Sequence, residues 1–255
     1  MTNHALHIPI LCYHRVAPQS ERGSGSASLY VSPEQFHAQM RLLKRLGYQT
    51  LTAQWLVACR ASRKNPPRKA ILITFDDGYA DNYTHAFPIL KKFDMRALVF
   101  LVTSQIGGRN VWDLKSHSGS AGTPLLGRDQ IQEMLESGIE FGSHTATHPD
   151  LTALSQEDTR RELESSKRAI EELTHRRDAA FCYPYARFHE PAKEEVKKAG
   201  YLCAFSGDNK WDPSAQSLFS LARVQVFPST NLFGFWKKLR PWYPRWMSWS
   251  TTTKE

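Results

Sequence analysis

Two short runs hold the residues best suited to chemistry. Thr74-Phe75-Asp76-Asp77-Gly78 places adjacent carboxylates where an apolar run ends. Ser143-His144-Thr145-Ala146-Thr147-His148-Pro149 places two histidines four apart, flanked by hydroxyls and held by a proline. Neighbouring carboxylates at a strand end point in different directions, so one can bind a cation while the other accepts a proton. Imidazole with carboxylate suits zinc or another late first-row metal, and two His with one Asp leave positions for water and substrate. Taken singly, the first run is equally a solvated turn and the second a pair of hydrogen-bonded loop histidines. Together, both at strand ends, they point to a metal-dependent hydrolase.

Elements that would position these runs follow from the hydrophobic pattern. Apolar stretches at residues 8–13, 70–75, 97–103, 139–142, 179–183, 202–205 and 222–227 read as buried strands. Helices are predicted between them. One opens at Ser32-Pro33-Glu34-Gln35, with a Ser cap, a first-turn Pro and a Gln three after the cap, and ends at Gly47. Others cover 82–93 with a kink or a boundary at Pro88, 128–137, about 155–174 and 191–199, while 23–28 and 107–123 read as loops. Seven parallel strands with intervening helices favour a single-domain, distorted (β/α) barrel over an open sheet, which the pattern still allows. In either form catalytic groups collect at the C-terminal strand edge, where both runs lie.

The chain has 255 residues, 41% hydrophobic and 23% charged, which is a globular profile with a proper core. A net charge of +8 favours anionic surroundings, yet no basic-aromatic nucleic-acid module is visible, so no nucleic-acid partner is expected. Cys12, Cys59, Cys182 and Cys203 form no C-x-x-C pair and read as reduced, packed thiols. Residues 1–9 contain no long apolar run, and no stretch of about 18 apolar residues occurs. Cytoplasmic residence is the resulting expectation.

On its first two motifs the sequence resembles the polysaccharide deacetylase family, also called the NodB-homology domain or family 4 carbohydrate esterase. Thr-Phe-Asp-Asp-Gly-Tyr and Ser-His-Thr-x-x-His-Pro-x-Leu match residue for residue, and Phe181-Cys182-Tyr183-Pro184-Tyr185 is similar to the third motif. The likeness covers about residues 8–228. It implies a distorted barrel and metal-assisted removal of N-acetyl, or sometimes O-acetyl, groups from sugars. By resemblance Asp77, His144 and His148 bind the metal, with zinc ahead of Co, Ni, Fe or Mn. Asp76 is then the general base, the Tyr185 backbone N–H holds the oxyanion, and Pro184 lies in the same substrate-binding motif. Trp112 falls in a region similar to a substrate-cleft loop, where it either stacks on a sugar or packs within the loop.

Two departures stand out. Many members carry in the third motif an Arg that steadies the catalytic carboxylate, where this chain has Cys182; Arg223 or Arg187 is the substitute, with Arg223 preferred for its place at a strand start. The usual C-terminal His is missing from Val226-Phe227-Pro228-Ser229. Instead Cys12-Tyr13-His14-Arg15-Val16 resembles the Tyr-His start of a circularly permuted subgroup, making His14 the candidate general acid. Asp81 and Asn82 either cap the next helix, the preferred reading, or line the cleft.

The expected division is a catalytic domain over 1–230 and an aromatic, basic tail over 231–255. That tail carries Trp236, Trp242, Trp246 and Trp249. It fits a peripheral membrane contact at the inner face, packing on the barrel, or a rim for a sugar chain. The expected function is N-deacetylation of an amino sugar in a glycan, a lipid-linked or a nucleotide-linked saccharide. The alternatives are hydrolysis of another non-peptide C–N or ester bond, and an inactive sugar-binding module.

Overall fold

The computed structural model describes residues 8–21, 29–61, 65–112, 122–207 and 217–243. The predicted loop at 23–28, the middle of the 107–123 loop, Trp246 and Trp249 lie outside the described residues.

Seven parallel strands build the main sheet. They are β1 (Ile10–Tyr13), β5 (Ala70–Phe75), β6 (Leu98–Leu101), β7 (Glu140–Ser143), β8 (Phe181–Cys182), β9 (Ala204–Phe205) and β10 (Val224–Gln225), in the order β10-β1-β5-β6-β7-β8-β9. The short β4 (Gln49–Thr50) extends the start of β5, and β2 (Arg15–Val16) pairs with β3 (Tyr30–Val31) in a separate ribbon. The two edges meet through the chain just before β10. Phe205 bridges Leu221, while Val224 pairs with Leu11 of β1. One segment thus joins both edges, and the sheet curls into the distorted barrel that the strand pattern predicts.

Strand periodicity sorts the side chains onto two faces. Ile71, Ile73 and Phe75 face the helices with Leu11, Tyr13 and Phe181, whereas Ile10, Leu72, Phe100, Cys182 and Phe205 fill the barrel. The outer face is covered by α1 (Pro33–Arg45), α3 (Phe87–Lys92), α4 (Arg128–Glu136), α5 (Gln156–Thr174) and α6 (Glu190–Lys198). α1 starts as its sequence dictates. The Ser32 hydroxyl accepts from Gln35 N, Gln35 Oε1 accepts from Ser32 N, both at 3.2 Å, and Phe36, Met40 and Leu43 face inward.

Three features refine or extend the sequence reading. The helix predicted over 82–93 is divided into a π-helical turn, Asn82–Ala86, and α3, with Pro88 in the first turn of α3. A first-turn Pro needs no N–H donor, so of the two readings Pro88 marks a boundary here and not a kink. α2 (Ala53–Arg60) escaped notice because its apolar residues form a continuous run that hides the buried face, although Thr52 caps it at 3.1 Å. Past residue 230, α7 (Leu232–Lys238) packs inward, burying Phe235, Leu239 and Tyr243 in the outer core.

Gly142 marks a tight contact in the barrel interior. A Cβ there would lie 2.8 Å from both the Ala180 carbonyl oxygen and the Phe100 ring. Gly142→Ala should therefore destabilise the barrel by about 1–3 kcal/mol through overpacking. Urea denaturation measures this, and an unchanged midpoint would show that the interior has slack.

Candidate active site and metal centre

The C-terminal ends of β1, β5, β7 and β8 converge on one cleft. Along β5 the inward residues are Leu72 and Thr74, so Asp76 continues that face. Regular strand geometry would send Asp77 toward the helices. Its φ of +71° turns the chain, and Asp77 comes to line the same cleft. Thr145, His148, Tyr185 and Ala186 are also left-handed, with φ of +69°, +64°, +57° and +58°. Each such residue stores about 1–3 kcal/mol of backbone strain, and strain of this kind gathers where loops must aim functional groups.

Asp77 Oδ1 lies 3.4 Å from Nε2 of both His144 and His148. One donor atom from each of the three residues lies within 4.8 Å of the others, and all three residues are buried. His144 Nδ1 is 2.8 Å from the Cys182 carbonyl oxygen. Because a carbonyl only accepts, Nδ1 carries the proton of neutral His144, and the Nε2 lone pair faces Asp77. A lone pair against a carboxylate is unfavourable unless a cation lies between them or the ring is protonated. These donors fit a divalent cation. Burial opposes ionisation of Asp77, but with the rings protonated and no cation present, hydrogen bonds from His144 and His148 and charge from His148 and His14 hold its carboxyl well below the usual carboxylate range.

The histidine loop is held by a residue that the motif reading missed. Glu162 of α5 accepts from Ala146 N at 2.8 Å, Thr147 N at 2.9 Å and the Thr147 hydroxyl at 2.7 Å. Thr145 Oγ1 accepts from His148 N at 3.0 Å. The signal available in the sequence was a carboxylate in the first two turns of a helix following the motif, too common to single out.

Asp76 is buried and bound at both oxygens by Arg223. Nη1 donates to Oδ1 at 2.6 Å and Nη2 to Oδ2 at 2.7 Å. Arg223 Nε donates to the Ser206 carbonyl at 3.0 Å and Nη1 also to Thr74 Oγ1 at 3.0 Å. The Cys12 and Cys182 thiols approach the carboxylate at 3.6 and 3.7 Å, so Cys182 occupies the interior as a packed thiol. Burial alone would raise the Asp76 pKa; the charge and hydrogen bonds of Arg223 outweigh it and lower it to about 2. Arg187, the other candidate support, does not reach Asp76. It is exposed and pairs with Asp150 at 2.9 Å.

His14 follows β1 with Nε2 3.8 Å from Asp76 Oδ2. Its carbonyl accepts from Asn82 Nδ2 at 2.9 Å. Asp81, expected as a helix cap, makes no capping bond; its carboxylate accepts from Arg15 Nε at 2.6 Å and from Val16 N at 3.2 Å. The buried Arg15 guanidinium outcompetes a single backbone N–H for that charge.

The cleft has a volume of about 250 Å³ and includes His14, Asp76, Asp77, His144, His148 and Arg223 among its walls. Trp112 stacks on His148 with ring centroids 4.6 Å apart, and the half-exposed Tyr185 ring meets His148 edge-on at 4.6 Å. Pro184 is buried behind Tyr185 and does not line the cleft. A larger cavity, about 390 Å³, opens at the opposite end of the strands beside Glu140 and Arg96, away from all these residues. Chemistry, not size, selects the smaller one.

The polysaccharide deacetylase family model matches residues 63–204, more than half of the chain. This chain belongs to the polysaccharide deacetylase family. It is accordingly a hydrolase of carbon–nitrogen bonds other than peptide bonds. YxkH of Bacillus subtilis (strain 168), which bears a polysaccharide deacetylase name, is 34% identical over 229 residues, covering 89% of this chain and 75% of that protein. The poly-β-1,6-N-acetyl-D-glucosamine N-deacetylase of Staphylococcus epidermidis is 30% identical, covering 85% of this chain and 78% of its own length. Among solved structures, the Streptococcus pyogenes deacetylase PplD in complex with acetate superposes with a TM-score of 0.79 at 27% identity, covering 92% and 98% of the two chains.

Within this deacetylase-family site the Arg223–Asp76 pair has a measurable signature. A carboxyl with a depressed folded pKa contributes stability that is present above its unfolded value of about 3.9 and is lost as pH falls through about 2. Arg223→Met strands a buried charge and should cost about 3–5 kcal/mol at pH 7. The deficit should narrow as pH falls from 7, first because burial raises the Asp76 pKa in the variant, and then below about 4 because the wild type loses its own contribution. Denaturant midpoints of both proteins across pH 3–7 test this, and a pH-independent gap would refute it.

Proposed function

We propose that the chain removes the N-acetyl group of an amino sugar within a glycan, using a divalent cation, zinc first, on Asp77, His144 and His148. The observation that carries this reading is the three-donor cluster beside an ionised, oriented carboxylate, Asp76, in one cleft. Two relatives support the substrate class: one is by name a poly-β-1,6-N-acetyl-D-glucosamine N-deacetylase, and another was solved with acetate, the product of such a reaction.

A cation at these donors supplies Lewis acidity, polarising the acyl oxygen and lowering the pKa of water. Asp76 receives the proton of the attacking water. Arg223 keeps it ionised at neutral pH and fixes both oxygens, which favours orientation at the expense of basicity. The Tyr185 backbone N–H stabilises the developing oxyanion, an orientation served by the left-handed turn at Tyr185 and Ala186 behind Pro184. His14 returns a proton to the leaving amine. Its 3.8 Å approach to Asp76 supports this role, as does the absence of any His from Val226-Phe227-Pro228-Ser229. We assign the chain on that basis to the circularly permuted subgroup. The Trp112 and Tyr185 rings provide apolar faces for a pyranose ring.

Asp77→Ala and His144→Ala should each lose bound metal and acetate release. Asp76→Asn should keep its metal while turnover falls about 10²–10⁴-fold. Metal analysis beside acetate assays on N-acetylglucosamine oligomers, after loading with Zn, Co, Ni, Fe or Mn, decides this; full activity in Asp76→Asn would overturn the assignment. A general acid works only when protonated, so His14→Ala should lower the rate and remove the alkaline limb of the pH–rate profile. Retention of both rate and limb would exclude His14.

A further inference from the structure

α7 and the turn after it have two faces. Phe235, Leu239 and Tyr243 are buried in the outer core. Leu232, Phe233 and Trp242 are 45%, 63% and 46% exposed, and they are three of the six large hydrophobic side chains exposed among the described residues. Half of these exposed side chains therefore lie within eleven consecutive residues, which is a cluster and not scatter.

Basic groups surround the same face. Lys237 Nζ lies 4.4 Å from the centroid of the Phe233 ring, and the Arg240 guanidinium 4.0 Å from that of Trp236. Phe233 and Trp236 are themselves stacked at 5.9 Å. Lys238, by contrast, is buried and donates inward to the Tyr243 hydroxyl at 2.8 Å. Among the described residues no carboxylate pairs with Lys237, Lys238 or Arg240. In the sequence no acidic residue occurs from Asn231 to Lys254, while Arg245, Trp246 and Trp249 continue the same composition.

None of Leu232, Phe233, Trp236 or Trp242 lines the cleft, so these rings do not form a rim for bound sugar. The first turn of α7 nonetheless lies at the cleft end of the barrel. Pro228, just before it, accepts from Gln35 Nε2 at 2.7 Å, and Gln35 begins α1, six residues after the cleft residue Leu29.

We propose that this face is a membrane-docking surface for anionic phospholipid, seating Leu232, Phe233 and Trp242 at the level of the head groups. Trp at an interface presents an apolar ring with a polar edge, Lys and Arg meet lipid phosphates, and uncompensated positive charge is complementary to such a surface. Docking by α7 sets this flank of the barrel against the lipid, with the cleft end at its first turn and Tyr48 beside its last, and the substrate class is then a saccharide carried on the membrane.

The test is co-sedimentation of the full chain with vesicles of phosphatidylcholine alone or mixed with phosphatidylglycerol. The wild type should pellet with the mixed vesicles, release at high salt and remain soluble with phosphatidylcholine. Phe233→Ser/Trp242→Ser should weaken partitioning about tenfold or more, and Lys237→Glu should weaken it at low salt only. Trp55→Ser, an exposed Trp on α2, should have no effect. The proposal is overturned by a wild type that does not pellet, by equal binding to neutral vesicles, or by undiminished binding of the double variant. Binding to an acidic polysaccharide in place of vesicles overturns it equally. Acetate release from a soluble N-acetylglucosamine oligomer, measured on the same samples, separates these outcomes from failure of the hydrolase reading.

Discussion

A carboxylate enclosed inside a barrel is tolerated only with a cation in hydrogen-bonding reach, and Arg223 meets that condition for Asp76. The guanidinium forks onto both oxygens and spends its remaining donors on the Thr74 hydroxyl and the Ser206 carbonyl. Thr74 in turn donates to the Leu11 carbonyl. One ion pair thereby ties together β1, β5, the end of β9 and the approach to β10. Arg223 also lies on the segment that joins the two sheet edges, between the Leu221 bridge to β9 and the Val224 pairing to β1. Closure of the barrel and orientation of the Asp76 carboxylate are therefore one structural event.

The same pair accounts for Cys182. In the third motif that the resemblance describes, an Arg extends from this strand to the carboxylate. Here the strand presents a thiol, and Arg223 enters from across the barrel with Nη2 3.1 Å from Cys182 Sγ. A small side chain on β8 leaves the volume that a guanidinium from the closing segment fills. Charge and hydrogen-bonding geometry are retained while the strand that supplies them changes.

Around this rigid centre the loops carry the strain. Asp77, Thr145, His148, Tyr185 and Ala186 are five of the seven non-glycine residues with positive φ among the described residues. The carboxyl cap that Glu162 provides to Ala146 and Thr147 helps to hold the histidine loop in such a conformation. Backbone strain is concentrated where side chains must converge, and regular strands beneath it bear the load.

Much of the framework was legible in the sequence. The strand at Ala70–Phe75, the Ser32 and Ser155 helix starts and the charged helix from Gln156 all follow from local periodicity and capping chemistry. α2 and α7 were not legible, because their apolar residues form continuous runs that hide the buried face, and their stability comes from burial against neighbours. The role of Asp81 was misread for a related reason: capping is a local contact, whereas its partner Arg15 is 66 residues away.

By itself the sequence determined which donor atoms exist and that they stand at strand ends, because contiguous motifs and a two-residue period are local properties. Only the tertiary structure decided their partners. Arg223 and Asp76 are 147 residues apart, and His144 finds the Cys182 carbonyl 38 residues on. His14 meets Asp76 because β1 and β5 are neighbours in the sheet. Such pairings depend on strand order and on how the barrel closes, which no local pattern records. The metal-hydrolase chemistry was written in two short runs; the buried charge pair that orients it exists only in the closed barrel.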